Sequence, residues 1–336
     1  MIKVLVVDDS SFMRKSISYM LKTDTAIDVV DTAGNGEEAL QKVQELHPDV
    51  VLLDIAMPMM DGLTALTHIM AECPTPVLIL SGMDVSVILK SLRLGAVDYI
   101  QKPAGVISYD IDEIKDEIIT KVHIASRANV SMIEPSIPEE PYMTGKAKHA
   151  ARKRIVIIGA STGGPKATTT VLSGIPDTIS AGIVIVQHMR KEFTPFFSEQ
   201  LKLECPLNIS EAKDNDLIGA GRVFVAPGGF QTGIEKDGMY KRIRLTNGAV
   251  KLQSIDYTME SAVRVYGGDI VGVLLTGMGS DGAKGLKAIK DAGGSTIAED
   301  ESTCVIFGMP KAAIGLGCVD IVAPLHKIAK TIMGMI

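Results

Sequence analysis

Ser161 lies in Gly159-Ala160-Ser161-Thr162-Gly163, a G-x-S-x-G arrangement that follows the apolar run RIVIIGAS and precedes Pro165. That pattern reads as a strand, a sharp glycine turn and a helix starting near Pro165. In such a turn the small neighbours let the serine Oγ stand clear of the backbone. The helix N-terminus then offers N–H groups and a positive dipole end to a developing oxyanion. The same residues also suit a glycine-rich phosphate cradle or a bare turn, although G-x-G-x-x-G spacing is absent and Ser161 stands where its second glycine would be. A serine nucleophile needs a base, and the C-terminal half offers two histidines, His188 and His326. His188 ends the run GIVIVQHM, which places it on the same rim as Ser161. His326, in PLHKIAK, reads as a solvated residue at a helix start. Asp281, in the glycine-rich loop LLTGMGSDGAKG, is placed to accept the imidazole N–H and hold its tautomer. It could instead cap a helix beginning at Ala283. The order Ser, His, Asp along the chain is not the Ser, Asp, His order of α/β-hydrolases.

A second constellation lies near the N-terminus. Asp8 and Asp9 follow a first strand, Asp54 follows a third, Ser81 ends a fourth, and Lys102 follows a fifth. In an open parallel sheet these ends are neighbours, so three carboxylates converge. Crowding them is costly without a hard cation, and oxygen-only ligation suits Mg²⁺. Carboxylate, Mg²⁺, hydroxyl and ammonium together can accept and stabilise a phosphoryl group. For any one of these aspartates, capping the following helix is the competing reading.

Two α/β domains are expected to position these groups. At 336 residues, with 46% hydrophobic and 22% charged residues, the chain suits two globular domains with separate cores. In residues 1–122 the runs IKVLVV, AIDVVDTA, DVVLLD, PVLILS and VDYIQKP alternate with helical stretches. Continuous Val/Ile/Leu runs suit parallel strands buried on both faces, here in flavodoxin-like order. Residues 123–152 carry prolines, an acidic patch and a basic patch without periodicity, which is linker composition. From 153 to 336 a second α/β pattern runs through RIVIIGAS, GIVIVQHM, GRVFVAPGG, DIVGVLLTGMGSDG and CVDIVAPL. A net charge of -6 argues against nucleic-acid binding. The four cysteines show neither CxxC spacing nor a neighbouring histidine cluster and read as thiols of a reducing compartment. MIKVLVVDDS is not a signal peptide, and no apolar run reaches the ~18 residues of a membrane span, so a cytoplasmic protein without membrane insertion is expected.

Residues 1–122 resemble the receiver domain of two-component response regulators. The resemblance implies Asp54 as phosphoacceptor, Mg²⁺ held by Asp9, Asp54 and the Ala56 carbonyl with Asp8 assisting, Ser81 and Lys102 on the phosphoryl oxygens, and Tyr99 at the aromatic switch position. Tyr99 also reads as a plain sheet-edge tyrosine. A receiver followed by GASTGGP, QHM, APGG, TGMGSDGA and CVIFGMP is similar, over nearly the full length, to the chemotaxis response-regulator protein-glutamate methylesterases, the CheB family. That implies phosphorylation-activated hydrolysis of glutamate γ-methyl esters on chemotaxis receptors, with release of methanol, and deamidation of receptor glutamines. The implied partners are the receptors and a histidine kinase as phosphodonor. Ser161, His188 and Asp281 match the family triad, the Met278 N–H matches its oxyanion donor, and the ester step takes no cofactor. The implied second domain is a doubly wound, Rossmann-like parallel sheet. An unphosphorylated receiver covering the Ser161 rim is the expected means of control. The family usually has a histidine two residues after APGG, where this chain has Gln231. A Pro- and Arg-containing stretch usually precedes the segment aligned with SIDYTMESA and is missing here, and Ala56 and Met59 stand where acidic and basic residues are commoner.

Overall fold

A computed structural model of the protein describes residues 1–82, 84–102, 114–130, 154–247 and 253–336. The chain divides into two compact units, Met1–Glu134 and Pro135–Ile336. Residues 131–152 of the expected linker, most of the KPAGVISYDI junction and the residues just before Gln253 lie outside the described residues.

In the first unit strands and helices alternate: β1 (Ile2–Val7), α1 (Ser11–Leu21), β2 (Ile27–Ala33), α2 (Gly36–Leu46), β3 (Val50–Leu53), α3 (Gly62–Glu72), β4 (Val77–Ser81), α4 (Val85–Leu94), β5 (Asp98–Gln101) and α5 (Lys115–Ala125). The five strands pair in parallel in the order β2-β1-β3-β4-β5, the flavodoxin-like order. Every residue of β3 and β4 is buried, as expected of apolar runs with helices on both faces. α5 continues three residues past 122, and its own Val122 and Ala125 are fully buried. Ser10 caps α1 and Asp61 caps α3 through their side chains. The capping reading of Asp8 and Asp54 therefore fails: other residues already satisfy those helix ends.

The second unit contains β6 (Ile155–Ala160), α6 (Gly164–Ser173), β7 (Gly182–Gln187), α7 (Thr194–Glu204), β8 (Asn208–Glu211), β9 (Arg222–Val225), β10 (Phe230–Asp237), β11 (Tyr240–Asn247), α8 (Ile255–Tyr266), β12 (Ile270–Leu274), α9 (Ala283–Asp291), β13 (Ser295–Glu299), α10 (Met309–Gly315), β14 (Ile321–Ala323) and α11 (Leu325–Met335). Seven strands form a parallel sheet in the order β14-β13-β12-β6-β7-β9-β8. The order runs outward in both directions from β6, which makes the sheet doubly wound with its switch point beside β6, where such folds place their ligands. β10 and β11 form a separate antiparallel hairpin closed by Gly238-Met239, and Gly238 has the positive φ (58°) that the first position of a tight hairpin turn requires. Sequence periodicity missed β8, β13 and this hairpin. No helix among the described residues is long and apolar enough to cross a membrane. All four cysteines are free.

Candidate functional site

Strand register alone brings the esterase candidates together. Ala160 pairs with Gln187 at the ends of β6 and β7, so the next residues, Ser161 and His188, leave the sheet side by side. The His188 N–H donates to Ala160 O (2.9 Å). The buried Gln187 amide ties the two exits together, its Nε2 donating to Ser161 O (2.9 Å) and His188 O (3.3 Å). On the other side of β6, the Ser161 N–H donates to Thr276 O (3.0 Å), and the Thr276 hydroxyl donates to Thr162 O (3.1 Å). The turn closes tightly with Gly164 N–H donating to Ser161 O (2.8 Å). The Ser161 and Gly164 amides are thus both occupied inside the protein, which removes two of the N–H groups that a phosphate cradle would use. Two glycines are obligatory here: Gly163 has φ +77° with Val305 against it, and a Cβ on Gly277 would lie 2.7 Å from Ser161 Cβ. Ser161 itself is half-buried, on a turn whose conformation is held from three sides.

His188 Nε2 donates to Asp281 Oδ2 at 2.8 Å. Asp281 also accepts from the Ile255 N–H (2.8 Å), the Asp256 N–H (3.1 Å), the Gly282 N–H (3.1 Å) and the Ser254 hydroxyl (3.1 Å). Burial pushes this carboxyl up, but the hydrogen bonds from His188 and from the Ile255 and Asp256 amides outweigh it and hold Asp281 at about 2. Asp281 does not cap α9, whose N-cap is Gly282; it sits instead on the first turn of α8. An ionised Asp281 bonded to Nε2–H leaves the lone pair on Nδ1, so Nδ1 is the nitrogen able to accept a proton. A hydrogen bond between Ser161 Oγ and His188 is not among the contacts of the described residues; without substrate such contacts are commonly long. Met278 follows Thr276 by two residues at the mouth of the same rim and is half exposed. His326 is exposed at the start of α11, as expected.

In the first unit, Val7 pairs with Leu53, so Asp8 and Asp54 emerge on adjacent strand ends, both buried. Carboxylate oxygens of Asp8, Asp9 and Asp54 lie within 4.8 Å of one another. Lys102 Nζ donates to Asp8 Oδ2 and Asp54 Oδ2, each at 2.7 Å. Burial pushes the Asp54 carboxyl up against the pull of Lys102, and Asp8 adds to the rise. Burial acts to lower the Lys102 ammonium, but Asp54 and Asp8 together raise it. Ser81 is fully buried at the end of β4, and the Lys102 N–H donates to its carbonyl (3.0 Å). Tyr99 is buried on the edge strand β5 with Lys121 of α5 over its ring, 4.9 Å from the centroid. Ala56 is exposed in the loop after Asp54.

A family model described as CheB methylesterase matches residues 156–332, more than half of the chain. The chain belongs to the CheB methylesterase family. A second model, the response regulator receiver domain, matches residues 4–109. Among curated relatives, the protein-glutamate methylesterase/protein-glutamine glutaminase of Archaeoglobus fulgidus is 42% identical, covering 98% of this chain and 97% of the relative. The protein of the same name from Caldanaerobacter subterraneus is 40% identical, covering 99% and 96%. Among solved structures, the Thermotoga maritima CheB methylesterase catalytic domain is 36% identical with a TM-score of 0.53, covering 55% of this chain and 99% of that one.

Within this chain, the geometry also accounts for Gln231. Its Oε1 accepts the Ser254 N–H at 2.9 Å, and Ser254 in turn bonds Asp281, so Gln231 braces the residue that orients His188. Sequence reasoning missed this bracing set of Gln187, Gln231, Ser254 and Thr276. Only the adjacency of Gln187 to His188 hinted at any of it. Receiver domains use Mg²⁺ for phosphorylation, and three clustered carboxylates are the hard oxygen donors such an ion takes.

Proposed function

We propose that this chain is a phosphorylation-activated protein-glutamate methylesterase that hydrolyses glutamate γ-methyl esters on chemotaxis receptors, releases methanol, and deamidates receptor glutamines. The observation that carries the reading is the His188–Asp281 hydrogen bond standing beside Ser161 on neighbouring strand ends. Ser161 Oγ attacks the γ-carbonyl while His188 Nδ1 takes its proton, and Asp281 stabilises the imidazolium. The Met278 N–H meets the oxyanion. The imidazolium returns the proton to the departing methoxide, giving methanol, or to the departing amide nitrogen of a glutamine, giving ammonia. Water, deprotonated by the same nitrogen, then cleaves the acyl-enzyme, and the products are the glutamate carboxylate and free Ser161.

Asp54 is the proposed phosphoacceptor. Asp8, Asp9, Asp54 and the Ala56 carbonyl would hold Mg²⁺, which when bound offsets the phosphoryl charge. Lys102 would then leave its carboxylate partners for the phosphoryl oxygens, Ser81 would bond them, and Tyr99 would follow as the switch residue. The phosphodonor is a chemotaxis histidine kinase, and the setting is the cytoplasm.

A fluorophosphonate probe should label Ser161 stoichiometrically. Ser161→Ala should abolish both labelling and methanol release from methylated receptor membranes while Asp54 still takes up phosphate. Turnover by Ser161→Ala would overturn the reading.

A further inference from the structure

Glu299 ends β13 with no solvent exposure, and neither the hydrolytic nor the phosphoacceptor chemistry uses it. Its Oε2 accepts the Thr276 N–H at 2.8 Å, and its Oε1 is buried near the Thr303 hydroxyl and the Cys304 thiol without a well-formed hydrogen bond among the described residues. An unpartnered buried carboxyl oxygen is costly and so unexpected in a purely structural role. Thr276 connects this carboxyl to the chemistry. Its carbonyl takes the Ser161 N–H, and its hydroxyl donates to Thr162 O and accepts from the Ile306 N–H (2.9 Å). Met278 follows two residues later.

The titratable groups facing Glu299 are the buried Cys304 thiol and Asp300. The cations of the helices packed on β13 are all exposed: Lys284, Lys287 and Lys290 on α9, Lys311 on α10, and His326, Lys327 and Lys330 on α11. No ion pair to Glu299 is found among the described residues.

We infer that Glu299 is a positioning residue for ester hydrolysis: as a neutral acid it holds the Thr276–Met278 strand end that presents Ser161 and the oxyanion donor, and its ionisation disables that arrangement. Burial pushes the carboxyl up to about 7, so the neutral form persists into the working range. On ionisation, a negative charge in a low-dielectric setting faces the rim where the oxyanion develops. The inference rests on the esterase reading above.

The test is kcat and KM against pH, from about 5.5 to 9.5, for the full chain and its Glu299→Gln and Glu299→Ala variants, with Ser161→Ala alongside. The parent should lose kcat above pH about 7, whereas Glu299→Gln keeps an acceptor for the Thr276 N–H and cannot ionise. At pH 9 it should exceed the parent about tenfold or more. Glu299→Ala should lower kcat about tenfold at pH 6.5 with KM within about twofold. In the unmodified chain, the fluorophosphonate labelling rate at Ser161 and the infrared carboxyl band should titrate with one midpoint. A Glu299→Gln profile superimposed on the parent's, or two separate midpoints, would overturn the inference. Turnover by Ser161→Ala would overturn the esterase reading instead.

Discussion

Asp54 and Asp281 each lie in a loop at the carboxyl end of a buried parallel strand, yet their charges are compensated in opposite ways. Asp54 is pushed up by burial and pulled back by a side-chain ammonium, Lys102, on a flexible stem. Asp281 is pulled down to about 2 by His188 and by main-chain amides at the start of α8, which cannot leave. A carboxylate balanced by a mobile cation can exchange that cation for Mg²⁺ or a phosphoryl group, which is what a switch requires. A carboxylate balanced by backbone dipoles is a permanent fixture, which is what orienting a catalytic imidazole requires.

The comparison can be broken most directly at its fixed end. Asp281→Asn should present the wrong partner to Nε2–H, favour the wrong tautomer, and cut kcat roughly 10³–10⁴-fold with KM little changed, as steady-state demethylation would read. At the mobile end, Lys102→Ala leaves buried Asp8 and Asp54 facing each other and should cost about 3–5 kcal/mol in EDTA, with millimolar Mg²⁺ recovering much of it in thermal unfolding. If EDTA and Mg²⁺ gave the same Tm for that variant, the exchangeable-cation picture would be wrong.

Glu299 is a third case, a buried carboxyl with no ion pair among the described residues. Its ordinary value is 4.5 and the folded value about 7, so between these the native chain keeps a proton that the unfolded chain has lost. Stability therefore falls as pH rises from 4.5 to 7 and stays lower above. Removing the titration with Glu299→Gln should add about 3 kcal/mol at pH 8 relative to pH 4.5, at 1.36 kcal/mol per unit, in urea unfolding at the two pH values. The smallest expected effect is at the brace of the fixed carboxylate. Gln231→Ala should cost about 1 kcal/mol of stability and Gln231→His less, because a ring nitrogen can still accept the Ser254 N–H.

The strands carrying both rims were legible because Val/Ile/Leu runs mark parallel strands buried on both faces. IKVLVV, DVVLLD, IVIIGA and GIVIVQ all fall on strands. β8 (NISE) and β13 (STIAE) were not, because short strands rich in polar residues carry no such run. The β10–β11 hairpin did carry a signal, Asp237-Gly238 between alternating runs, and was overlooked. At the sites, residue type and strand-end position singled out Ser161, His188, Asp281 and the Asp8, Asp9, Asp54, Lys102 cluster. Those groups do chemistry, and few other side chains can.

What the sequence determined by itself was which residues end which strands, since periodicity and turn chemistry are local properties. The tertiary structure decided what those residues meet. Asp281 sits on α8, not on the helix that follows it, because strand order carries its loop across to Ile255 and Asp256. Gln187, Thr276 and Glu299 acquire their roles only through the register of β6, β7, β12 and β13. Hydrogen bonds spanning 23 to 114 residues along the chain leave no local pattern, so the bracing of the site was written in the packing alone.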